Sequence, residues 1–449
     1  MRAPWLKWLR IHQYRNVVPG TYLEFNRGFN VLLGRNGTGK TTLLELIEML
    51  LVHGFRRIRH DAFHLECCVE FNFADGHGDF RIHADLRNLV EVTSTVVSDD
   101  RAKHRFAYTV AFQEVDGAEI LRVTGTPLGA RLKIGEFDSP VSVLDISSAP
   151  LLWQAAGQVF EPTALVPEHD DRAEAVAEIC NTVGGKIGRS GGRFDEALGV
   201  FHALTAIEHE HAGLGVPAAG WGLARASSKS GARRTVRPSG PNRFVPQDLV
   251  ERCRDELAAD PDREPPEFRI GHEGVEALAK FVSLAGYAGA SVELRPYGRD
   301  RRGEVEFLWY RGPDFSFQLP ADRGEIDVHA LSYGEKRLLA FLWYLACNDT
   351  VIADELVDGF HHDWIERCVE LIGERQSFLA SQNPLLLDFL PIADEDYARR
   401  CFMTCRRGAE TQGQMAWANI GSEDAAEFYR AYARETQYVS EILRGRGLW

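Results

Sequence analysis

The chain has 449 residues, 45% of them hydrophobic and 26% charged, with 25 Phe and 9 Trp; that is apolar surface for more than one core, and it excludes a disordered or collagen-like chain. Basic residues number 51 and acidic residues 65, a net charge of −14 that repels a polyanion, so any nucleic-acid contact has to be local. No run approaches the roughly 18 apolar residues of a membrane span and the stretch from Met1 to Arg10 lacks a signal-peptide core, so a cytoplasmic protein without membrane contact is expected.

In chain order, Tyr22 to Phe25 alternates, Asn26 to Gly28 turns, and Phe29 to Leu33 is an apolar run that stops at Gly34; this predicts a hairpin ending in a buried strand. Leu43, Leu44, Ile47 and Leu50 fall at helical spacing within Thr41 to Val52, so the strand feeds a helix through a glycine loop. From His64 to about Ile134, short alternating runs (Cys68 to Phe73, Phe80 to Leu86, Val90 to Val97, Phe106 to Phe112, Ile120 to Val123) predict an antiparallel meander. Between about Asp170 and Ala290 the pattern becomes mostly helical, as in Ala173 to Val183 and Pro246 to Leu257, and strands return at Val292 to Arg295 and Val305 to Tyr310. The eight cysteines include no CxxC pair and read as reduced core thiols.

Within the helical middle, Trp221 to Val245 carries Arg225, Lys229, Arg233, Arg234, Arg237 and Arg243 among Ser, Gly and Pro, with no acidic residue. A solvated loop accounts for it, and so does a segment that meets a phosphate backbone or a partner. His202, His209 and His211 lack the spacing of a helical metal pair and read as a solvated segment.

Gly34 to Thr41 fits GxxxxGK[ST], with a strand before it and a helix after it. Glycines let backbone N–H groups close around phosphates, and the helix N-terminus adds positive potential. The nucleotide cradle is therefore expected from Asn36, Gly37, Thr38, Gly39, Lys40, Thr41 and Thr42, with Lys40 on the β and γ oxygens and Thr41 on Mg²⁺. Downstream, the apolar run Thr350 to Ala353 ends in Asp354 and Glu355. An acid at the tip of a buried strand reaches a metal and its neighbour polarises water, so Asp354 is assigned to Mg²⁺ and Glu355 to the general base. Just before them, Leu331-Ser332-Tyr333-Gly334-Glu335-Lys336 opens an apolar helical stretch, where Ser332 and the Gly334 amide can hold a further phosphate.

Leu331 to Lys336, lying after a P-loop and before the two acids, resembles the signature of ABC-type ATPases. The resemblance implies an α/β P-loop NTPase fold, an ABC-ATPase head, in which two copies close face to face and Ser332 and Gly334 act in trans. Lys40 and Ser332 stand far apart in the chain, which disfavours a transporter engine. Leu9 to Asn16 and Phe25 to Val31 resemble the RecF-like and chromosome-maintenance branch instead, and that implies a nucleotide contact for Arg15. Asp354 to His362 is similar to the DE-x-x-N-G-L-H-P phrase of standalone AAA and OLD-like ATPases, with Asp358 as the residue at the dimer seam and His362 in place of proline. Ser381-Gln382-Asn383-Pro384 stands where that family resembles T-H-S-P. Gln382 thus replaces the switch histidine; it can hydrogen-bond a phosphate or water but takes no proton, which points to slow or partner-triggered hydrolysis.

The expected organisation is an N-terminal ATPase half (1–165) with P-loop and meander, an inserted helical subdomain (166–290) with the basic loop 221–245, and a C-terminal half (291–449) with signature and acids. Its expected work is that of an ATP- and Mg²⁺-dependent sensor or clamp, a homodimer or higher oligomer. By resemblance to the ATPase subunits of Septu and PARIS phage defence it serves a separate nuclease effector; the alternative is a RecF-like repair ATPase that binds duplex DNA through the basic loop.

Overall fold

A computed structural model of the chain describes residues 5–72, 79–88, 106–141, 193–195, 221–226, 236–239, 245–259 and 267–448, with short breaks inside these ranges. In chain order, β1 (Trp5–Tyr14), β2 (Thr21–Glu24) and β3 (Phe29–Leu33) precede α1 (Lys40–Glu48). Then come β4 (Phe63–Asn72), β5 (Asp79–Asn88), β6 (Phe106–Glu114), β7 (Glu119–Thr126), β8 (Gly129–Ile134) and β9 (Phe137–Val141). They are followed by β10 (Trp221–Ala226), β11 (Val236–Ser239), α2 (Gln247–Ala259), β12 (Phe268–Gly271), α3 (Glu276–Ala285), β13 (Gly289–Arg302), β14 (Val305–Gln318) and β15 (Glu325–Asp327). The remainder is α4 (Tyr333–Cys347), β16 (Thr350–Asp354), α5 (His362–Ile372), β17 (Gln376–Ala380), α6 (Pro384–Asp388), α7 (Glu395–Cys401), β18 (Phe402–Arg407), β19 (Met415–Asn419), α8 (Ser422–Tyr432) and α9 (Val439–Gly445).

Two units divide the chain: Met1–Arg193 with Asp349–Leu356 and Cys368–Trp449, and Phe194–Asn348 with Val357–Arg367. The first unit is an α/β P-loop fold with two sheets. One is an antiparallel sheet in the order β2-β1-β4-β5-β6-β7-β8-β9, and the other runs β16-β17-β3-β18-β19. In the latter, β3 pairs in parallel with both β17 and β18. All five residues of β3 are buried, the pattern of a strand covered on both faces.

The expected hairpin of Tyr22–Phe25 with Phe29–Leu33 does not form: β2 pairs with β1, and β3 belongs to the other sheet. The chain crosses between sheets at Asn26, whose backbone N–H donates to Asn30 Oδ1 at 2.7 Å, while Asn30 Nδ2 returns bonds to the Asn26 and Gly28 carbonyls. Side-chain amides thus satisfy a buried backbone that strand pairing would otherwise have served. Gln376 joins the two sheets in the same way. Its Oε1 accepts from Leu6 N–H and its Nε2 donates to the Leu6 and Asn26 carbonyls, all within 2.8 Å.

The meander is present from β4 to β9 and continues past the predicted runs into β8 and β9; Val90 to Val97 lies outside the described residues. Its inward residues, Leu65, Cys67, Ile82, Leu86, Val110, Val123 and Leu132, share one core with Leu43, Leu44 and Ile47 of α1. Helix α1 is shorter than the periodicity predicts, because Met49–His53 winds into one π-helical turn.

Among the described residues, the middle of the second unit contributes strands as well as the helices α2 and α3. Its six-stranded sheet runs β11-β10-β14-β13-β12, with β15 on β14. The stretch 221–245, read above as a basic loop, contributes the hairpin β10–β11, with Trp221 to Ala226 registered against Tyr310 to Val305 of β14. Ser, Gly and Pro give the segment the composition of a loop, but pairing with a long partner strand makes Trp221–Ala226 a strand. Arg225 and Arg237 sit in that hairpin, whereas Lys229, Arg233, Arg234 and Arg243 lie outside the described residues, as do Ala173 to Val183 and the three histidines. The unit boundary also puts 291–348 with this sheet and not with the C-terminal ATPase half. Its core includes Phe268, Phe281, Phe317 and Tyr310, with Phe281 and Phe317 5.2 Å apart.

The seven cysteines among the described residues are all free. Burial pushes the Cys67 and Cys405 thiols up to about 12, so they are inert at neutral pH. Among the described residues no helix is long and apolar enough to cross a membrane.

Candidate functional site

Strand β3 ends at Gly34, and the loop Gly34–Gly39 leads into α1. Gly34 and Gly39 have to be glycines for reasons visible in the packing. At Gly34 (φ 150°) a Cβ would meet the Cys405 carbonyl at 2.3 Å, and at Gly39 (φ 91°) it would meet Met415 Sδ at 2.4 Å. The loop is also held from the C-terminal strands, with Trp417 Nε1 donating to the Thr38 carbonyl at 3.4 Å. Thr38 Oγ1 donates inward to the Arg35 carbonyl at 2.8 Å.

No side chain caps α1 and no acid stands in its first turn, so its free N–H groups and dipole are left for an anion. Lys40 is 7% exposed, and its Nζ donates to the Gly34 and Arg35 carbonyls at 2.8 and 3.2 Å. A cavity of about 360 Å³ opens over this point, within the range of small-ligand sites. Asn36, Gly37, Gly39, Lys40, Thr41 and Thr42 form its floor; Asp354, Glu355 and Gln382 line one side, Arg407 and Met415 the other.

On the acidic side, Thr41 Oγ1 donates to Asp354 Oδ2 at 2.5 Å. Glu355, one residue past β16, has φ 50°, a conformation that costs a non-glycine residue and is held only where the surroundings enforce it. Its N–H donates to the Ala380 carbonyl at 2.8 Å, and its carboxylate accepts from the Gln382 N–H and Nε2, both at 3.2 Å. Gln382 Nε2 also donates to Asn36 Oδ1 at 2.7 Å. Glu355 is thereby aimed into the cavity by the residue that replaces the expected histidine. Thr41 and Asp354 offer two adjacent hard oxygens, the donor chemistry of Mg²⁺.

Two groups of expected site residues lie elsewhere. Arg15 is absent from this cavity's lining: its Nε donates to Asp61 at 2.9 Å and Nη1 lies 3.8 Å from Glu45, so carboxylates occupy it. Ser332, Gly334 and Asp358 fall in the second unit, where they come together. Ser332 caps α4 in a reciprocal box with Glu335, and Tyr333 Oη donates to Asp358 at 3.3 Å. Gly334 packs so tightly on the Gly359 carbonyl that a Cβ would approach it to 2.7 Å. Burial pushes the Glu335 carboxyl up, but bonds from the Ser332 hydroxyl, the Ser332 amide and the Tyr287 hydroxyl outweigh it, leaving the group below its usual value. His361 is exposed, with its Nδ1 3.6 Å from Asp363.

Another set of metal-type donors, His12, His64 and Glu66, stands on the face of the antiparallel sheet opposite its core. The two imidazoles stack at 4.2 Å with planes 23° apart. Arg10 and His12 lie 3.6 and 3.0 Å from Glu66, and Asp85 3.2 Å from His64. Arg10 and Glu66 form an ion pair in this half-buried patch, while burial lowers the His64 pKa and favours its neutral ring.

Sequence reasoning missed Arg407, Met415 and Trp417. They reach the loop because β18 pairs with β3, a parallel contact between residues far apart in the chain that no local pattern announces.

Residues 9–133 match a family model described as an AAA domain. The DNA replication and repair protein RecF of Mannheimia succiniciproducens is 30% identical over 125 residues, which are 26% of this chain and 26% of that protein; the match spans about a quarter of the relative. Among solved structures, the chromosome-maintenance (SMC) head domain of Thermotoga maritima superposes with a TM-score of 0.36 at 11% identity, covering 94% of this chain and 100% of that one. A nucleotide-bound RecF of the RecFOR pathway gives 0.31 at 12% identity, over 94% and 99%. The overlays are loose. In sequence the chain is similar to an AAA domain and to part of RecF.

Proposed function

We propose that this chain binds and hydrolyses ATP as an ABC-type ATPase and uses the nucleotide to gate closure of two copies. The observation that carries the proposal is the single cavity that gathers an uncapped helix N-terminus, Lys40, the Thr41–Asp354 pair, Glu355 and Gln382. Backbone amides from Gly37 to Thr41 and the Lys40 ammonium hold the phosphates. Thr41 and Asp354 would hold Mg²⁺, which when bound neutralises phosphate charge. Glu355 takes the proton of a water whose oxygen attacks the γ-phosphorus as the bond to the β–γ bridging oxygen breaks. Gln382 donates to the Glu355 carboxylate and so positions the base; lacking a titratable group, it cannot serve as an acid itself. Ser332 and Gly334 of a second copy would close over the γ-phosphate, with Asp358 at the seam.

The finer reading is the ATPase subunit of a phage-defence system with a separate nuclease effector, supported by the Asp354 to His362 phrase alone. The partial likeness to RecF favours a second reading, an ATP-gated clamp on duplex DNA. Native mass spectrometry of Glu355→Gln protein, with and without Mg-ATP and with a DNA duplex, tests gating and separates the readings. A nucleotide-dependent doubling supports the clamp, a DNA-bound dimer favours the second reading, and a strict monomer rejects closure.

A further inference from the structure

We infer that Arg407 is a nucleotide ligand at the nucleoside end of the cavity, donating to the α-phosphate. The inference rests on the nucleotide reading above and extends it to a wall that the hydrolytic groups leave unused.

Position comes first. In the sheet order β16-β17-β3-β18-β19, Asp354 and Glu355 leave the end of β16 and Gln382 follows β17, all on one side of the P-loop strand. Arg407 ends β18 and Met415 begins β19 on the other side. Because β16, β17, β3 and β18 are parallel and β19 is antiparallel, all these residues reach the same sheet edge. A bound triphosphate must put its γ-phosphorus beside Glu355, so its α-phosphate and nucleoside extend toward β18 and β19.

Anchoring comes second. Arg407 is exposed, yet its Nε donates to the Gly413 carbonyl at 2.9 Å. That carbonyl also accepts from Asn16 Nδ2 at 3.0 Å, and the turn is closed by Gly413 N–H to the Gly408 carbonyl at 2.8 Å. Among the described residues no hydrogen bond or ion pair engages its Nη1 and Nη2. A guanidinium that lines the cavity and is anchored there through Nε alone keeps its two-donor edge for a phosphate. Met415, in tight contact with Gly39, adds a soft apolar flank for the sugar or base.

The test is equilibrium binding of ATP, ADP and inorganic pyrophosphate to wild type, Arg407→Gln, Arg407→Lys and Arg406→Gln, with melting temperatures confirming that each variant is folded. Loss of a charge-assisted bond should weaken ATP and ADP alike in Arg407→Gln by about tenfold or more. Pyrophosphate, which fills only the β and γ positions, should be unaffected. Arg407→Lys should recover part of the loss, and Arg406→Gln, on the neighbouring and oppositely directed position, should match wild type. Unchanged ATP and ADP binding in Arg407→Gln overturns the assignment, and so does an equal loss for pyrophosphate or for Arg406→Gln. Wild-type protein that binds neither ATP nor ADP contradicts the nucleotide reading itself, and this assignment with it.

Discussion

Thr41 and Asp354 lie 313 positions apart in the chain, and the hydroxyl of one donates to the carboxylate of the other at 2.5 Å. The contact exists because β3 and β16 flank β17 and both run parallel to it, so that the loop after β3 and the tip of β16 open at the same edge. Ligand sites of open α/β sheets sit at that carboxyl edge.

If this pair holds the metal, removing its charge should abolish metal dependence before it abolishes folding. Asp354→Asn keeps shape and hydrogen bonding, so its melting temperature should stay near that of wild type. Its Mg-dependent ATP hydrolysis should fall by about a hundredfold or more. Steady-state phosphate release across a magnesium titration checks this, and a variant with normal magnesium dependence would remove Asp354 from the site.

Gly39 offers a test of the loop's packing that is independent of chemistry. Gly39→Ala places a Cβ against Met415 Sδ at a φ of 91°, and backbone strain of this kind costs about 1 to 3 kcal/mol. Thermal unfolding should show a lower midpoint, and nucleotide affinity should drop with it. The double variant with Met415→Ala should recover part of the stability, since the steric component is removed and the positive φ remains.

Glu335 makes a prediction about pH. Its carboxyl lies below its usual value in the folded chain, because the Ser332 and Tyr287 bonds outweigh burial. A depressed carboxyl stabilises the fold above its unfolded value, near pH 4.3, and that contribution is lost as pH falls through the folded value. Glu335→Gln should therefore be less stable than wild type at pH 7, with the difference shrinking below about pH 4. For a partly exposed group the effect should stay under about 1 kcal/mol. Urea melts of both proteins at pH 7 and pH 3.5 check it; a difference that grows on acidification would contradict the sign.

Much of this site was legible because its residue types have few other uses together. Lys40 and Thr41 after a glycine loop, and Asp354 and Glu355 after an apolar run, are local patterns, and local patterns survive in a linear reading. Partnerships between distant strands do not. Phe29–Leu33 was correctly seen as a buried strand but given the wrong neighbour, since nothing in Tyr22–Phe25 shows that it pairs backward with β1. Trp221–Ala226 looked like part of a loop because its strand character comes from the register with β14. The place of Arg407 in the cavity lining was invisible for the same reason, and Arg15 was carried over by resemblance whereas Asp61 and Glu45 engage it.

The most direct test of the central claim is to measure ATP binding and single-turnover hydrolysis side by side for wild type, Lys40→Ala and Glu355→Gln. The expected result is binding and slow cleavage in wild type, no binding in Lys40→Ala, and retained binding with cleavage reduced by about 10² to 10⁴ in Glu355→Gln. Cleavage at the wild-type rate in Glu355→Gln, or ATP binding that persists without the lysine, would contradict the account.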